Sequence, residues 1–399
     1  MIDDLKKNPG LLKLDLYCKG MRIGEDCRTD EDGGRRVLRT RAGLGSGLEV
    51  ILPGGLYTNI PVTEDFAAGS PFVLHRSGPD GGYVIYREDE PVAPVTLAPR
   101  PAWYDRATSH GTRMNRIGTL QGTYLGIYPA KVCQYWEEEP RSNCKFCSVG
   151  LNLGHDDALD KTVEDVVETV GAAVAESRIT YVDFNTGHYE GDTYLDILEP
   201  YIRAVKKSYG LLIGVQTPPH HDLARYRHLK KIGVNRVSFC FELWDTQRFQ
   251  EVCPGKHRQY GLDRYLEAIE YCASVFHTTN GEIVAGLESP ESSIEAIDWI
   301  TSVGAVPTVC VFRPLKGTDY ENVPPPETGD MVPVFRRMYE ACMEKGLMIG
   351  VAPNVKVSLV MLPEEGRYLT DNPNRFFFTR AKFALMRPLF KAALKMKLL

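Results

Sequence analysis

Cys133-Gln-Tyr-Trp-Glu-Glu-Glu-Pro-Arg-Ser-Asn-Cys144-Lys-Phe-Cys147 carries the one clustered subset of the chain's ten cysteines. Three thiolates at one place suggest an iron–sulfur cluster with one iron left without a protein ligand. The same three with His155 also make a Cys3His set, the closed tetrahedral pattern of structural zinc. On these residues alone the two readings are evenly matched. The other cysteines are scattered, and Cys240 and Cys310 sit inside apolar runs, as buried thiols do.

The flanking sequence bears on the choice. Apolar runs that read as strands recur at 119–128, 179–184, 211–216, 235–241, 282–285 and 306–312. Helical stretches lie between and after them: one from Thr162, where Asp165 completes a capping-box spacing, then 194–209, one ending at Gly233, 262–275, one from Pro290 to 303, and 331–345. About six β/α units in succession imply a parallel sheet with helices outside, and strands buried on both faces should read as such apolar runs. The fold class is therefore α/β, a partial or complete (β/α) barrel. A barrel keeps its chemistry at the C-terminal ends of its strands, and Cys133 follows the first one.

Residues 1–115 read differently. Short extended runs at 47–52, 71–74, 83–86 and 95–97 are separated by Pro53-Gly54-Gly55 and Pro79-Asp80-Gly81-Gly82, the pattern of a small β-rich domain. The core then spans 116–320, and 321–399 is a helical C-terminal region. Residues 375–399 hold seven Lys or Arg and no acid, interleaved with Phe and Leu. The plain reading is a terminal helix packed on the core with a solvated basic face; the alternative is a basic amphipathic tail that docks a partner or a membrane surface. A formal net charge of −5 argues against nucleic acid as the partner. The N-terminal residues show no signal-type apolar run, and no stretch reaches the ~18–20 apolar residues of a membrane helix, so the expectation is a cytoplasmic protein with no integral membrane segment.

Over about 115–320 the chain resembles the radical S-adenosylmethionine (SAM) superfamily. That superfamily spaces its cysteines CxxxCxxC with an aromatic before the last; here the CxxC half and Phe146 are kept, and the first gap is ten residues instead of three. The resemblance continues at the strand ends: Asn185-Thr186-Gly187-His188, Phe239-Cys240-Phe241-Glu242, Gly281-Glu-Ile283-Val-Ala-Gly286-Leu-Glu288, and Phe312-Arg313-Pro314-Leu315-Lys316-Gly317-Thr318, the last similar to biotin-synthase-like members. The β-rich N-terminal region, Gln216-Thr-Pro-Pro219 and Val252-Cys-Pro-Gly-Lys256 resemble an uncharacterised radical SAM family of nitrilase gene clusters.

The resemblance implies a partial (β/α)6 barrel, a [4Fe–4S] cluster on Cys133, Cys144 and Cys147, and SAM bound at its open iron. It implies that Phe146 and Ile283 lie by the adenine, that Asn185, Thr186 and Gly187 hold the amino group, and that Glu242 meets the ribose. From the residues themselves, Lys256 and Arg258 are candidates for the SAM carboxylate, Gln216 and Arg313 for further cofactor contacts at the cavity wall, and His188, Tyr189 and Arg313 for groups facing substrate. The implied activity is reductive cleavage of SAM to a 5′-deoxyadenosyl radical that abstracts hydrogen from a small molecule, with an external electron donor such as flavodoxin or ferredoxin. The competing readings are a zinc-stabilised β/α ligand-binding protein and a radical SAM fold acting as a scaffold.

Overall fold

The computed structural model describes residues 2–27, 38–39, 46–77, 82–352, 354–372 and 374–395. The turn at Pro79–Gly81 and the last four residues of the basic tail lie outside the described residues.

The first sheet has seven strands: β1 (Arg22–Ile23), β2 (Leu38–Arg39), β3 (Ser46–Leu52), β4 (Leu56–Ile60), β5 (Phe72–Ser77), β6 (Gly82–Arg87) and β7 (Glu90–Leu97). Their order is β1-β5-β6-β7-β3-β2, with β4 paired to β3, and all pairs but β1–β5 are antiparallel. Two helices that the sequence reading missed precede the sheet, Ile2–Lys7 and Pro9–Lys19. The second is buried from Leu12 to Cys18, so it has no polar face and no amphipathic period to betray it.

The second sheet runs in chain order: β8 (Thr119–Leu120), β9 (Leu125–Ile127), β10 (Tyr181–Asn185), β11 (Leu212–Gln216), β12 (Arg236–Glu242), β13 (Thr278–Ala285) and β14 (Val306–Val311). From β9 to β14 every pair is parallel. Helices Val163–Ser177, Tyr194–Tyr209, Ala224–Ile232, Gly261–Val275 and Pro290–Ser302 connect them, and Thr328–Glu344 follows β14. Strand interiors such as Val182, Phe184, Ile213 and Val237 are fully buried, as the apolar runs require. Thr162 and Asp165 make the expected capping box. The single strand expected over 119–128 is instead an antiparallel hairpin, because Gly122 turns the chain at φ +84°.

β8 and β14 are the two edges of this sheet. A C-terminal segment crosses between them. Thr123 N–H donates to Lys356 O at 3.1 Å and Lys356 N–H to Thr123 Oγ1 at 2.8 Å. Asn59 N–H of β4 donates to Ser358 O at 2.8 Å, and Tyr17 Oη to the same oxygen at 2.6 Å. The segment thus joins the first sheet to the β8–β9 hairpin of the second.

The terminal helix, Phe377–Lys395, packs through Phe383 beside Tyr339, Cys342 and Ile349. Its other face differs from the expected solvated basic surface: Phe378, Leu385 and Leu389 are 86%, 78% and 74% exposed.

A Cβ on Gly122 would stand 2.2 Å from Lys356 O, at a φ that side chains rarely adopt. Gly122→Ala is therefore expected to lower unfolding free energy by on the order of 2–3 kcal/mol in urea melts. A loss under about 1 kcal/mol would mean that the segment at Lys356 adjusts freely and does not hold the β8–β9 edge.

Candidate active site

A cavity of about 770 Å³ runs along the interior of the second sheet, a volume in the range of small-molecule sites. Cys133, Cys144 and Cys147 line its mouth, beyond the C-terminal ends of β9 and β10. The loop that carries them is tied down by its backbone. Gln134 N–H donates to His188 O, Ser142 N–H to Tyr135 O, Lys145 N–H to Val252 O, and Gly255 N–H to Ser142 O, all at 2.9–3.1 Å. Glu138 takes a pair of 2.7 Å bonds from Arg258, and Tyr135 stacks on His188 with centroids 4.5 Å apart. The ten residues between Cys133 and Cys144 are thus a packed element.

His188 N–H donates to Cys133 Sγ at 3.3 Å. Burial pushes the Cys133 thiol up to about 11 and the Cys147 thiol up to about 12, while a hydrogen bond from Cys253 lowers Cys144. Bare, the first two are neutral thiols; a bound metal centre is what would draw off their protons. Among the described residues no group of three or more His, Cys, Asp or Glu is arranged to hold a metal ion, and His155 is exposed. The fourth member of the zinc set, His155, is not among the residues that line the cavity with the cysteines.

The donor set fits a larger group. Asn185 Oδ1 and Thr186 Oγ1 are buried without partners among the described residues, and both residues line the cavity beside the cysteines. A Cβ on Gly187 would stand 2.5 Å from Cys133 Cβ, so that position is closed to side chains. Two orphaned polar atoms next to three thiols are what a cluster and a polar cofactor would satisfy.

Phe146, Glu242, Lys256 and Ile283 also line this cavity. Glu242 sits at a bulge with φ +71°, and Lys256 donates to its carboxylate and, at 2.7 Å, to Cys240 O. Burial works against the Lys256 charge, but Glu242 holds the ammonium well above its usual range. His188 Nδ1 is 2.6 Å from Tyr260 Oη, and burial lowers the His188 pKa, which favours the neutral ring. Gln216 points below the mouth, donating to Glu282 Oε2 at 2.6 Å.

Three sequence candidates lie elsewhere. Tyr189 bonds Tyr128 Oη and Lys131 O behind the cysteine loop. Arg258 is spent on Glu138 at the surface. Arg313 turns away from the cavity: it donates to Asn59 O at 2.6 Å and Asn59 Oδ1 at 3.1 Å, over the Tyr17 ring. The first sheet had to be in place before that direction was visible.

The sequence reading also missed a charged layer below the mouth. Arg236 donates to Asn280 Oδ1 (2.7 Å), Tyr181 Oη (3.2 Å), Asp183 Oδ1 (3.2 Å), Ser238 Oγ (3.2 Å) and Glu282 Oε1 (2.9 Å). Gly214 makes this possible. It lies on β11 between Asp183 and Arg236 in register, and a Cβ there would stand 1.7 Å from Tyr181 Oη. Charged residues and a glycine inside apolar strands were the available signal.

Residues 141–300 match the family model of the Radical SAM superfamily, whose members bind a [4Fe–4S] cluster and S-adenosylmethionine. A stretch of 117 residues is 31% identical to the bacteriochlorophyllide c C-7(1)-hydroxylase of Chlorobaculum limnaeum, covering 29% of this chain and 29% of that protein. Among solved structures, methylornithine synthase is 19% identical with a TM-score of 0.42, covering 55% of this chain and 62% of that one. A radical SAM methyltransferase from Sphaerobacter thermophilus is 12% identical with a TM-score of 0.42, covering 69% of this chain and 75% of that one. Among the described residues no helix is long and apolar enough to cross a membrane.

Lys256→Met would strand the buried Glu242 carboxylate and is expected to cost about 3–5 kcal/mol. Adding Glu242→Gln should recover most of that loss, giving a coupling above about 1 kcal/mol in a double-mutant cycle. Additive losses would show that the two charges do not depend on each other.

Proposed function

We propose that this chain is a radical SAM enzyme that holds a [4Fe–4S] cluster on Cys133, Cys144 and Cys147 and uses it to cleave SAM reductively. The observation that carries the reading is the juxtaposition at the cavity mouth: three thiols beside the orphaned Asn185 Oδ1 and Thr186 Oγ1. The match of residues 141–300 to the superfamily supports it. Held by Cys133, Cys144 and Cys147, the cluster would supply the electron for reductive SAM cleavage, and so the radical chemistry by which hydrogen would be taken from a small substrate.

In this reading residues 116–320 form a partial (β/α)6 barrel, with the β-rich 1–115 and the helical 321–399 packed around it. Phe146 and Ile283 give the apolar faces for an adenine. Asn185, Thr186 and Gly187 offer polar atoms and close backbone approach to an ammonium. Glu242 accepts from a ribose hydroxyl while Lys256 keeps its charge in check and faces a carboxylate. Neutral His188, held by Tyr260 and stacked on Tyr135, is the polar group turned toward substrate. The electron comes from an external donor of the flavodoxin or ferredoxin kind.

Protein purified without oxygen should be brown and carry about four irons per chain. With SAM and dithionite it should release 5′-deoxyadenosine. Cys133→Ala, Cys144→Ala and Cys147→Ala should each abolish that release and lower the iron content. A colourless protein with one tightly held zinc would end the reading, and full activity in Cys133→Ala would remove it as a ligand.

A further inference from the structure

The charged layer built on Arg236 takes no part in holding the cluster or SAM in the reading above. It lies further toward the N-terminal ends of the strands, and Tyr124, Asp183, Arg236, Asn280 and Glu282 all line the same cavity. Its side chains are enclosed: Asp183 is 8% and Glu282 10% exposed.

The layer does not balance. Arg236 contributes one positive charge, and its five N–H groups are matched by the five bonds given above. Asp183 and Glu282 contribute two negative charges. Glu282 is saturated, since Ser238 and Arg236 bond Oε1 while Gln216 and Cys240 bond Oε2. Asp183 is not: Oδ1 takes Tyr181 and Arg236, and no protein donor reaches Oδ2 among the described residues. The other cations along the cavity do not bond Asp183 among the described residues. Lys256 is paired with Glu242, Lys206 bonds Leu211 O and Asn235 Oδ1, and Lys230 bonds Val275 O.

Water can solvate Asp183 Oδ2 while the cavity is open. A ligand that displaces this water must give back a donor, or it strands a carboxylate in a layer whose own formal charges sum to −1. A hydroxyl restores the hydrogen bond but not the charge, and a carboxylate adds repulsion. A protonated amine restores both.

We propose that this layer is the substrate subsite, and that it selects a small molecule bearing a protonated amine directed at Asp183 Oδ2. The word substrate rests on the radical SAM reading; the amine selectivity does not. Arg236, Glu282 and Tyr181 are positioning residues that hold Asp183 with one oxygen facing the cavity.

The test is calorimetric titration of the full-length protein at neutral pH with n-butylammonium, n-butanol and butyrate. The amine is expected to bind at least roughly tenfold more tightly than either of the others, the scale set by a buried polar group left unpaired. Asp183→Asn keeps an oxygen for Tyr181 and Arg236 but loses the charge, and should bring amine and alcohol to within about twofold. Equal binding of the three probes by the unaltered protein overturns the proposal, whether or not the variant folds. An amine preference that survives in a folded Asp183→Asn overturns it too. Iron content and 5′-deoxyadenosine release separate the two readings. A protein that loads iron and cleaves SAM without amine preference loses only this inference. One that prefers the amine but holds no iron keeps the amine site and loses the radical reading.

Discussion

Arg236 reaches across β11 through the space that Gly214 leaves empty, and so ties β10, β12 and β13 together by side chains as well as by their backbone ladders. Interior-facing positions alternate along a strand. The residues one step further toward the C-terminal ends are therefore set by the same lock: Asn185 follows Asp183, Gln216 follows Gly214, and Cys240 follows Ser238. Any side chain at position 214 would push Tyr181 and Asp183 out of reach of the guanidinium. It would then disturb the mouth from below without touching a cysteine.

The mouth has a second support that acts from above. The long Cys133–Cys144 connection packs on the short helices Thr246–Val252 and Pro254–Gln259, through Lys145 to Val252, Ser142 to Gly255 and Glu138 to Arg258. That helix pair also delivers Lys256 to Glu242 and Cys253 to Cys144. The extra residues thus couple the cysteine loop to the element that sets charge beside it. A three-residue connection has no room for both Tyr135 under His188 and Glu138 on Arg258.

The alternation of apolar runs and capped helices was enough to read β10 to β14 from the sequence, because each strand is buried on both faces and each helix is amphipathic. Reading failed where burial broke that rule. Helix Pro9–Lys19 is enclosed on all sides, and the β8–β9 hairpin turns within five residues, which no window resolves. At the site, the cysteine spacing and the Asn185–Gly187 strand end were legible as local patterns. Arg313 was not, because its direction depends on Asn59, more than two hundred residues earlier. The Arg236 layer was hidden for the same reason, since Asp183, Gly214, Arg236 and Glu282 become one feature only after the strands are laid side by side.

Stability alone does not account for such a layer. A buried set of two carboxylates and one guanidinium gives up its hydration, and replacing comparable ion sets by apolar side chains is often neutral or stabilising. The surrounding strands already bury Val182, Phe184, Val215 and Phe239 completely, so the sheet does not need these charges to close its core. The layer also faces a cavity and leaves one acceptor uncommitted, which a purely structural network would be expected to satisfy internally. Its desolvation cost is explained if the last partner of Asp183 arrives from the cavity, the same one that the cysteines line.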